Sequence, residues 1–241
     1  MILCLDAGNT RLKWGLWDGH AWLGSGALAH AESGQLIDAL PVKPSRVLAC
    51  NVAGELVAAR IEALAASLSV PLDWFRSSLA AGGVSNGYDT PAQLGADRWA
   101  ALLGAHSLHD GAALVVMAGT ATTIDTLDAN GVFRGGLILP GLELMRQALA
   151  RNTAGLPVAR GDYRELPTNT DDAIVSGCIA ATLGAIERMA RHLHGGDDLL
   201  CLISGGTAVA LAPHLQLPLR HVDNLVLTGL ARASTFDRER I

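Results

Sequence analysis

The pattern that most restricts the fold is an apolar strand that ends in a small-residue turn, and it occurs twice. Residues 3–8 read LCLDAG, and residues 114–119 read LVVMAG at a constant shift of 111 positions. Each copy continues into a second strand pattern and then a turn dipeptide, Asp18-Gly19 or Asn130-Gly131, that favours a β-hairpin. Each copy therefore predicts a three-stranded meander. Repetition at a fixed shift favours an internal duplication, with chance similarity of two short hairpins as the alternative.

The rest of the chain alternates between strand and helix patterns. Strands are predicted at 2–6, 11–17, 21–23, 46–52, 114–119, 124–127, 132–134 and 199–203. Helices are predicted at 55–68, 94–109, 141–151 and 173–193, the last of them apolar on all sides and so expected to be buried. Such alternation is typical of α/β folds. No Pro- or Ser-rich linker separates the halves, so we expect two closely packed domains, 1–110 and 111–241, with a cleft between them.

The composition excludes several classes of protein. Half of the 241 residues are apolar and 17% are charged, which predicts an ordered chain with a full core. The net charge is −5 and no basic cluster occurs, which argues against nucleic acid or an anionic membrane as a partner. The four cysteines form no CxxC pair, a pattern typical of small buried thiols in a reducing cytosol.

One uncharged run, residues 199–219, is long enough to be considered as a membrane span. It is interrupted by Gly205-Gly206, Pro213 and Pro218, which predicts a strand, a glycine turn and a helix instead. The N-terminus has only four apolar residues before Asp6 and no basic segment, so it does not resemble a signal peptide. We therefore expect a soluble, cytoplasmic protein with no membrane segment.

The first glycine turn combines residue types that bind phosphates. Gly8 lets the backbone approach a ligand, Thr10 offers a hydroxyl and an amide, and Lys13 brings a positive charge. Asp6 suits a hydrated Mg²⁺, because that hard cation prefers oxygen ligands. The pattern GxxxxGK[ST] is absent from the sequence, so the turn is not a P-loop. A hairpin with an ordinary turn aspartate is the alternative interpretation.

Two more small-residue turns follow predicted strands. Residues 118–123 read AGTATT, and residues 204–206 read SGG. If the two halves are duplicates, the first two turns face each other and could hold a phosphate chain from both sides. The third suits the adenosine end of a nucleotide. Three such turns together favour a nucleotide site over hairpins without a ligand.

The order and spacing of these motifs carry a resemblance to a known family. The motifs are DAGNT at 6–10 with Lys13, Tyr88 before LGADR at 94–98, GTAT at 119–122 with Asp125, GG at 135–136 with PG at 140–141, Thr170 with AI at 173–174 and Gly177, and SGG at 204–206. With these motifs the chain closely resembles the type III pantothenate kinases, also called the Bvg accessory factor family. The resemblance spans nearly the whole chain.

The resemblance implies an α/β fold of two ribonuclease-H-like domains, that of the actin-like ATPase and sugar-kinase superfamily, with a nucleotide cleft between them. It implies a homodimer that phosphorylates pantothenate to 4′-phosphopantothenate with ATP, the first step of coenzyme A biosynthesis. It implies ATP contacts from Asp6, Ala7, Gly8, Asn9, Thr10, Arg11, Leu12, Lys13 and Thr120. It implies a pantothenate site formed by Tyr88, Gly95, Ala96, Asp97, Arg98 and Thr170, with Asp97 as the general base.

The residue types at 97 and 98 suit this chemistry. Transfer of a phosphoryl group to an alcohol needs a carboxylate that orients the hydroxyl and takes its proton, and Asp97 near a helix start can do this. The guanidinium of Arg98 offers a planar, two-pronged contact for the substrate carboxylate. The alternative for an isolated Asp-Arg pair is an exposed ion pair on a helix.

The chain departs from the family at Met117. Type III enzymes usually carry an aspartate there, which helps to bind a monovalent cation, K⁺ or NH₄⁺, near the ATP phosphates. A thioether is a weak acceptor and a poor ligand for a hard cation. Asp125, on a different strand, is the alternative ligand. We therefore expect ATP with Mg²⁺ and doubt the requirement for K⁺.

Two other functions remain open from the sequence. One is a kinase or phosphatase of the same superfamily with a different acceptor. The other is a non-catalytic regulator that keeps the fold and binds a nucleotide. The joint presence of Asp6, Lys13, Asp97 and Arg98 argues against the regulator, because a chain that has lost catalysis has no reason to keep all four.

Overall fold

The computed structural model describes residues 1–193 and 198–236, which form two compact units. Among the described residues, unit 1 contains 1–110, 131–133 and 224–236, and unit 2 contains 111–130, 134–193 and 198–223. One break between the units coincides with the predicted domain boundary after residue 110. The segment from Asn224 was assigned to the second domain in the sequence analysis, whereas its contacts lie in unit 1.

The elements are numbered along the chain. The strands are β1 (Ile2–Ala7), β2 (Leu12–Trp17), β3 (Trp22–Leu28), β4 (Arg46–Asn51), β5 (Leu72–Trp74), β6 (Ala80–Ala81), β7 (Val84–Asn86), β8 (Ala113–Ala118), β9 (Ala121–Leu127), β10 (Val132–Pro140), β11 (Leu200–Ser204) and β12 (Leu219–His221). The α-helices are α1 (Leu36–Ala39), α2 (Glu55–Leu68), α3 (Ala96–Leu108), α4 (Leu142–Asn152), α5 (Thr170–Ala190), α6 (Ala208–Leu211) and α7 (Leu225–Phe236).

Unit 1 is built on a sheet of order β3-β2-β1-β4-β5. The central strand β1 pairs antiparallel with β2 and parallel with β4, and it is buried along its whole length. The predicted meander is confirmed, but its third strand is longer than the predicted 21–23. The additional residues include Gly24 and Gly26, and glycine is usually unfavourable within a strand. Here glycine is required, because a Cβ on Gly26 would lie 2.8 Å from the indole nitrogen of Trp14.

The helices of unit 1 include α3, which carries Asp97 in its first turn. Helix α2 has the predicted bounds, and helix α3 begins at Ala96, two residues later than predicted. Helix α3 packs closely against α7: a Cβ on Gly229 would lie only 1.8 Å from the carbonyl oxygen of Ala100. This packing explains why the C-terminal helix belongs to unit 1, a contact over more than 120 residues of sequence that no local pattern indicates.

Unit 2 repeats the topology of unit 1. Its strands have the order β12-β11-β8-β9-β10, which matches β5-β4-β1-β2-β3 position by position. The bounds of β8 equal those of β1 at the predicted shift of 111 positions. This agreement supports the predicted duplication. Strand β9 begins at Ala121, so the predicted Thr-rich turn is shorter than expected and ends at Thr120.

Strand β10 is also longer than the predicted 132–134. It begins in unit 1, where Val132 and Phe133 pair with β7, and it continues in unit 2 from Arg134. Its last residue is Pro140, and α4 starts two residues later.

Helix α5 corrects one prediction. It starts at Thr170, after an Asn169 cap that accepts a hydrogen bond from the amide of Asp172, and not at 173. The expectation that the helix is buried on all sides was wrong, because one face exposes small residues, among them Ala173, Gly177 and Ala181. In length and hydropathy α5 could cross a membrane, and half of its most apolar stretch is buried within the protein.

Candidate active site

The first glycine turn lies at the exposed end of the central strand of unit 1. Asp6 is paired with Lys13 across the β1–β2 ladder, and one residue separates each of them from the turn. The side chain of Asp6 is buried, whereas Asn9, Thr10 and Arg11 are exposed. The turn therefore presents an accessible backbone next to one buried acid and one partly buried base.

The carboxylate of Asp6 is held in an environment that disfavours its charge. Burial raises the pKa of Asp6 from its ordinary value of 3.8 to about 6, against the attraction of Lys13. The charge of Asp97 raises this pKa further, and a hydrogen bond from the thiol of Cys50, with the sulfur 3.7 Å from Oδ1, lowers it. Unit 1 thus brings Asp6, Lys13 and Asp97 into one electrostatic group.

Asp97 occupies the first turn of helix α3. Its Oδ1 accepts a hydrogen bond from the amide of Arg98 at 2.8 Å, which fixes the carboxylate at the helix N-terminus, where a negative charge is favoured. The residue before the helix is Gly95, and a Cβ there would lie 2.7 Å from Oδ1 of Asp97. Glycine at 95 therefore leaves the space that this carboxylate occupies. The side chain of Asp97 remains partly accessible.

Arg98 is not the exposed ion-pair residue of the alternative interpretation, since it is only 5% exposed. One guanidinium nitrogen donates to the hydroxyl of Tyr88 at 2.9 Å. The guanidinium also lies over the rings of Tyr88 and Phe133, 5.7 and 5.9 Å from their centroids. The contact with Tyr88 joins two residues that the family resemblance assigned to the pantothenate site.

The second glycine turn belongs to unit 2. Thr120 is exposed, and its carbonyl oxygen accepts a hydrogen bond from the amide of Gly141 at 2.9 Å. Met117 pairs with Thr123 on β9, and Asp125 pairs with Val115. Because directly paired residues share a face and side chains alternate along a strand, Met117 and Asp125 project from the same face of this hairpin.

Thr170 lies in unit 2 at the first turn of α5, where it lines a groove of about 970 Å³. The groove is mostly apolar, and its walls include Met145 and Leu149 of α4 and Gly177 and Ala181 of α5. Thr120 and Thr170 are thus in unit 2, whereas the other predicted ATP and pantothenate residues, 6–13, 88 and 95–98, are in unit 1.

Two residues beside the site were missed in the sequence analysis. Cys50 was interpreted only as one of four buried thiols, yet it pairs with Asp6 in the β1–β4 ladder and contacts its carboxylate. Phe133 was assigned to a short hairpin strand, yet its ring contacts Arg98 and Tyr88. Both contacts join segments that are distant in sequence, so a motif search along the chain does not find them.

Solved structures of other proteins show the class of fold. A conserved protein from Campylobacter jejuni, assigned to the Baf family of transcriptional activators, matches with a TM-score of 0.66 and 21% identity over 98% of this chain and 99% of that one. A protein from Sinorhizobium meliloti, assigned as a 2-dehydro-3-deoxygalactonokinase, matches with a TM-score of 0.63 and 14% identity over the same shares. These similarities confirm the predicted fold, that of the actin-like ATPase and sugar-kinase superfamily.

Sequence comparison identifies the family within this class. The family model of type III pantothenate kinases matches residues 2–192. A type III pantothenate kinase from Aromatoleum aromaticum is 54% identical over 233 residues, which cover 96% of both chains. The chain therefore belongs to the type III pantothenate kinase family, and the predicted membership is confirmed.

The buried carboxylate of Asp6 predicts an unusual dependence of stability on pH. Its pKa is raised on folding, so the folded state binds the proton more tightly, and the stability gained in acid is lost as the pH rises from about 4 to about 6. Asp6→Asn should therefore gain about 3 kcal/mol of unfolding free energy relative to wild type between pH 4 and pH 7, at about 1.4 kcal/mol per pKa unit. The measurement is urea unfolding in EDTA without nucleotide.

Asp18→Asn is the matched control for this measurement. Asp18 is exposed, and hydrogen bonds from the amides of Ala21 and His20 lower its pKa, so its effect on stability has the opposite sign. A difference between Asp6→Asn and wild type that stays constant with pH would show that Asp6 titrates like an ordinary surface acid.

Proposed function

We propose that the protein transfers the γ-phosphoryl group of ATP to pantothenate and so makes 4′-phosphopantothenate for coenzyme A biosynthesis. Family membership supports the reaction, and one observation in the structure supports the assignment of residues: Asp6, Lys13 and Asp97 form one electrostatic group at the end of β1. Beside Asp97 lies Arg98, whose contacts with Tyr88 fix its guanidinium. A nucleotide-binding regulator would have no use for this second, substrate-facing group.

The turn after β1 is the proposed site of the ATP phosphates. Its accessible amides can donate to phosphate oxygens, and Lys13 can neutralise part of the polyphosphate charge. Residues Asp6 to Lys13 form this site, and Thr120 of unit 2 is proposed as a further ATP contact.

Asp6 fits Mg²⁺ held through water. Its carboxylate is buried beside a second acid, so a nearby cation would offset the cost of its charge. In the part of the chain that the structure describes, no three His, Cys, Asp or Glu side chains are grouped to hold a metal ion directly. This agrees with the behaviour of Mg²⁺, which keeps several waters and uses substrate phosphates as ligands. When bound, the ion would neutralise charge that develops on the phosphates.

Asp97 is the proposed general base. One of its oxygens is occupied by the amide of Arg98, and the carboxylate is still accessible enough to accept a proton from a substrate hydroxyl. The hydroxyl oxygen forms a bond to the γ-phosphorus, the bond from that phosphorus to the bridging oxygen of ADP breaks, and the proton passes to Asp97. The carboxylate thus orients the acceptor and removes its proton.

Arg98 is proposed to bind the carboxylate of pantothenate. Its guanidinium donates to the Tyr88 hydroxyl and lies over two aromatic rings, so little rotamer freedom remains to be lost on binding. Gly95 and Ala96 line the same turn, where the absence of large side chains lets a substrate approach the backbone. Thr170 is proposed as a further pantothenate contact.

We also propose that the enzyme is a cytoplasmic homodimer. The exposed small residues of α5 and the adjacent apolar groove of unit 2 offer a surface on which a second helix could pack, with Leu144 and Leu149 of α4 exposed beside it. Large exposed apolar surfaces of this kind usually mark interfaces. Sedimentation equilibrium at micromolar concentration tests this directly, since a monomer there would contradict the dimer.

A coupled assay of ADP release with a panel of hydroxy acids tests the function. Pantothenate should be phosphorylated at its 4′-hydroxyl, and a carboxamide analogue that lacks the carboxylate should be a much poorer substrate because it cannot pair with Arg98. Faster turnover of a different acceptor would assign the chain to another activity of the superfamily. ATP binding without any phosphoryl transfer would favour the regulator.

Asp97→Asn should cut kcat by about two to four orders of magnitude, the usual contribution of a positioned base, while ATP and pantothenate still bind. Asparagine keeps the size and one acceptor oxygen but cannot take the proton. Steady-state kinetics and calorimetric binding of both substrates provide the measurement. A loss of less than about tenfold would exclude Asp97 as the base.

Met117 predicts weak dependence on K⁺. Replacing K⁺ by a bulky organic cation at equal ionic strength should change the rate little, because Met117 supplies no hard ligand where the family usually has an aspartate. Met117→Asp should introduce or strengthen activation by K⁺ or NH₄⁺. A wild-type enzyme that is inactive without K⁺ would contradict the proposal and point to other oxygens, such as that of Asp125.

A further inference from the structure

His30 makes a contact with the phosphate turn that none of the sequence motifs includes. Its Nε2 lies 2.8 Å from the carbonyl oxygen of Gly8. A carbonyl oxygen only accepts hydrogen bonds, so Nε2 must carry the proton and donate. The bond joins two segments 22 residues apart in the chain.

The topology of the meander places His30 at this position. Leu12 of β2 pairs with Ala7 of β1 on one side and with Leu28 of β3 on the other. The end of β3 therefore lies at the edge of the sheet where the turn after β1 begins. Two residues beyond this end, His30 starts a 3₁₀ segment (His30–Gln35), and its imidazole reaches Gly8.

The hydrogen bond fixes more than one atom. The peptide that joins Gly8 to Asn9 is planar and trans, so its carbonyl and its amide point in opposite directions. Holding the Gly8 carbonyl toward the imidazole directs the Asn9 amide away from His30. A turn whose amides must converge on a phosphate gains from such a constraint, because the orientation is set before the ligand binds.

Unit 2 contains a related hydrogen bond, made by a different donor to the next carbonyl along the turn. The residue that follows β10, the third strand of the second meander, is Gly141, and its amide donates to the carbonyl oxygen of Thr120 at 2.9 Å. At the shift of 111 positions, Thr120 is the counterpart of Asn9. In both meanders, then, a donor just beyond the third strand holds a carbonyl of the glycine turn.

The surroundings of the other ring nitrogen, Nδ1, indicate that His30 does more than fill space in the core. Nδ1 is buried and has no hydrogen-bond partner within residues 1–193 and 198–236. A buried polar atom without a partner is unfavourable and is usually kept for a reason. An apolar side chain would fill the same space without this cost, so the donated bond to Gly8 is the feature that requires histidine.

We propose that His30 is a positioning residue for ATP: it fixes the Gly8–Asn9 peptide so that the Asn9 amide faces the polyphosphate. The inference rests on the proposed function, in which the turn of residues 8–11 binds the ATP phosphates. It adds a residue outside the turn that sets the affinity for ATP and leaves the affinity for pantothenate unchanged.

Two substitutions separate the donor from the shape of the side chain. His30→Gln keeps an N–H donor near the position of Nε2, and His30→Asn carries its donor near Nδ1, too short to reach Gly8. The KM for ATP should rise about three- to tenfold in His30→Asn and in His30→Leu, the usual worth of one hydrogen bond, and stay within about twofold of wild type in His30→Gln. The KM for pantothenate should stay within about twofold in all three.

The controls separate failure of this inference from failure of the proposed ATP site. Lys13→Met removes the charge of the turn and should raise the KM for ATP strongly, whereas His20→Leu, at an exposed residue in the β2–β3 turn, should change neither KM.

If Lys13→Met leaves the KM for ATP unchanged, the turn is not the phosphate site. If Lys13→Met behaves as expected but His30→Asn does not, or if His30→Gln fails to restore ATP affinity, the positioning role is refuted. Binding of a non-hydrolysable ATP analogue, measured by calorimetry, should follow the same order.

Discussion

The buried carboxylate of Asp6 is the constraint on which the rest of unit 1 depends. It stands next to the end of a fully buried central strand, where loss of water disfavours its charge. Lys13 and the Cys50 thiol offset part of this cost, but burial is the largest effect, and the pKa stays raised. The buried carboxylate therefore costs some stability at neutral pH, a cost that a cation bound beside it would offset.

The two units share one topology but carry different side chains at matching positions. The strand-end positions held by Asp6 and Cys50 in unit 1 correspond to Met117 and Ser204 in unit 2, at the same places in the ladders. Lys13, the ladder partner of Asp6, has Thr123 as its counterpart opposite Met117. The charged groups are therefore concentrated in unit 1, and the second glycine turn offers chiefly backbone and hydroxyl groups. An acid at 117 would have placed a negative charge at a half-buried strand end that has no lysine opposite it.

Local patterns predicted the parts of the fold that depend on local interactions. Helix α2 and strands β1 and β2 follow from periodicity and turn residues, and the structure keeps their bounds to within one residue. The order and spacing of the motifs along the chain gave the family resemblance, and the resemblance implied the fold class and the site residues. Burial of α5 was overestimated, because an apolar helix of small residues can face solvent or a second chain as well as a core. The place of α7 beside α3 depends on Gly104 and Gly229, and no pattern within α7 itself indicates it.

The same distinction explains which site residues were found. Gly8, Asp97 and Arg98 lie in short motifs, because adjacent residues in a turn or at a helix start are close enough to act on one ligand. Phe133 and His30 act across the fold, one on a guanidinium and the other on a peptide carbonyl, so their effect depends on strand pairing and not on sequence spacing. The two glycine turns sharpen this point. An imidazole holds the Gly8 carbonyl in one unit, and a backbone amide holds the Thr120 carbonyl in the other, so a donor beyond the third strand recurs although neither its residue type nor the carbonyl it holds is the same. The donor beyond the third strand is a side chain in one unit and a backbone amide in the other, and for that reason it carries no motif.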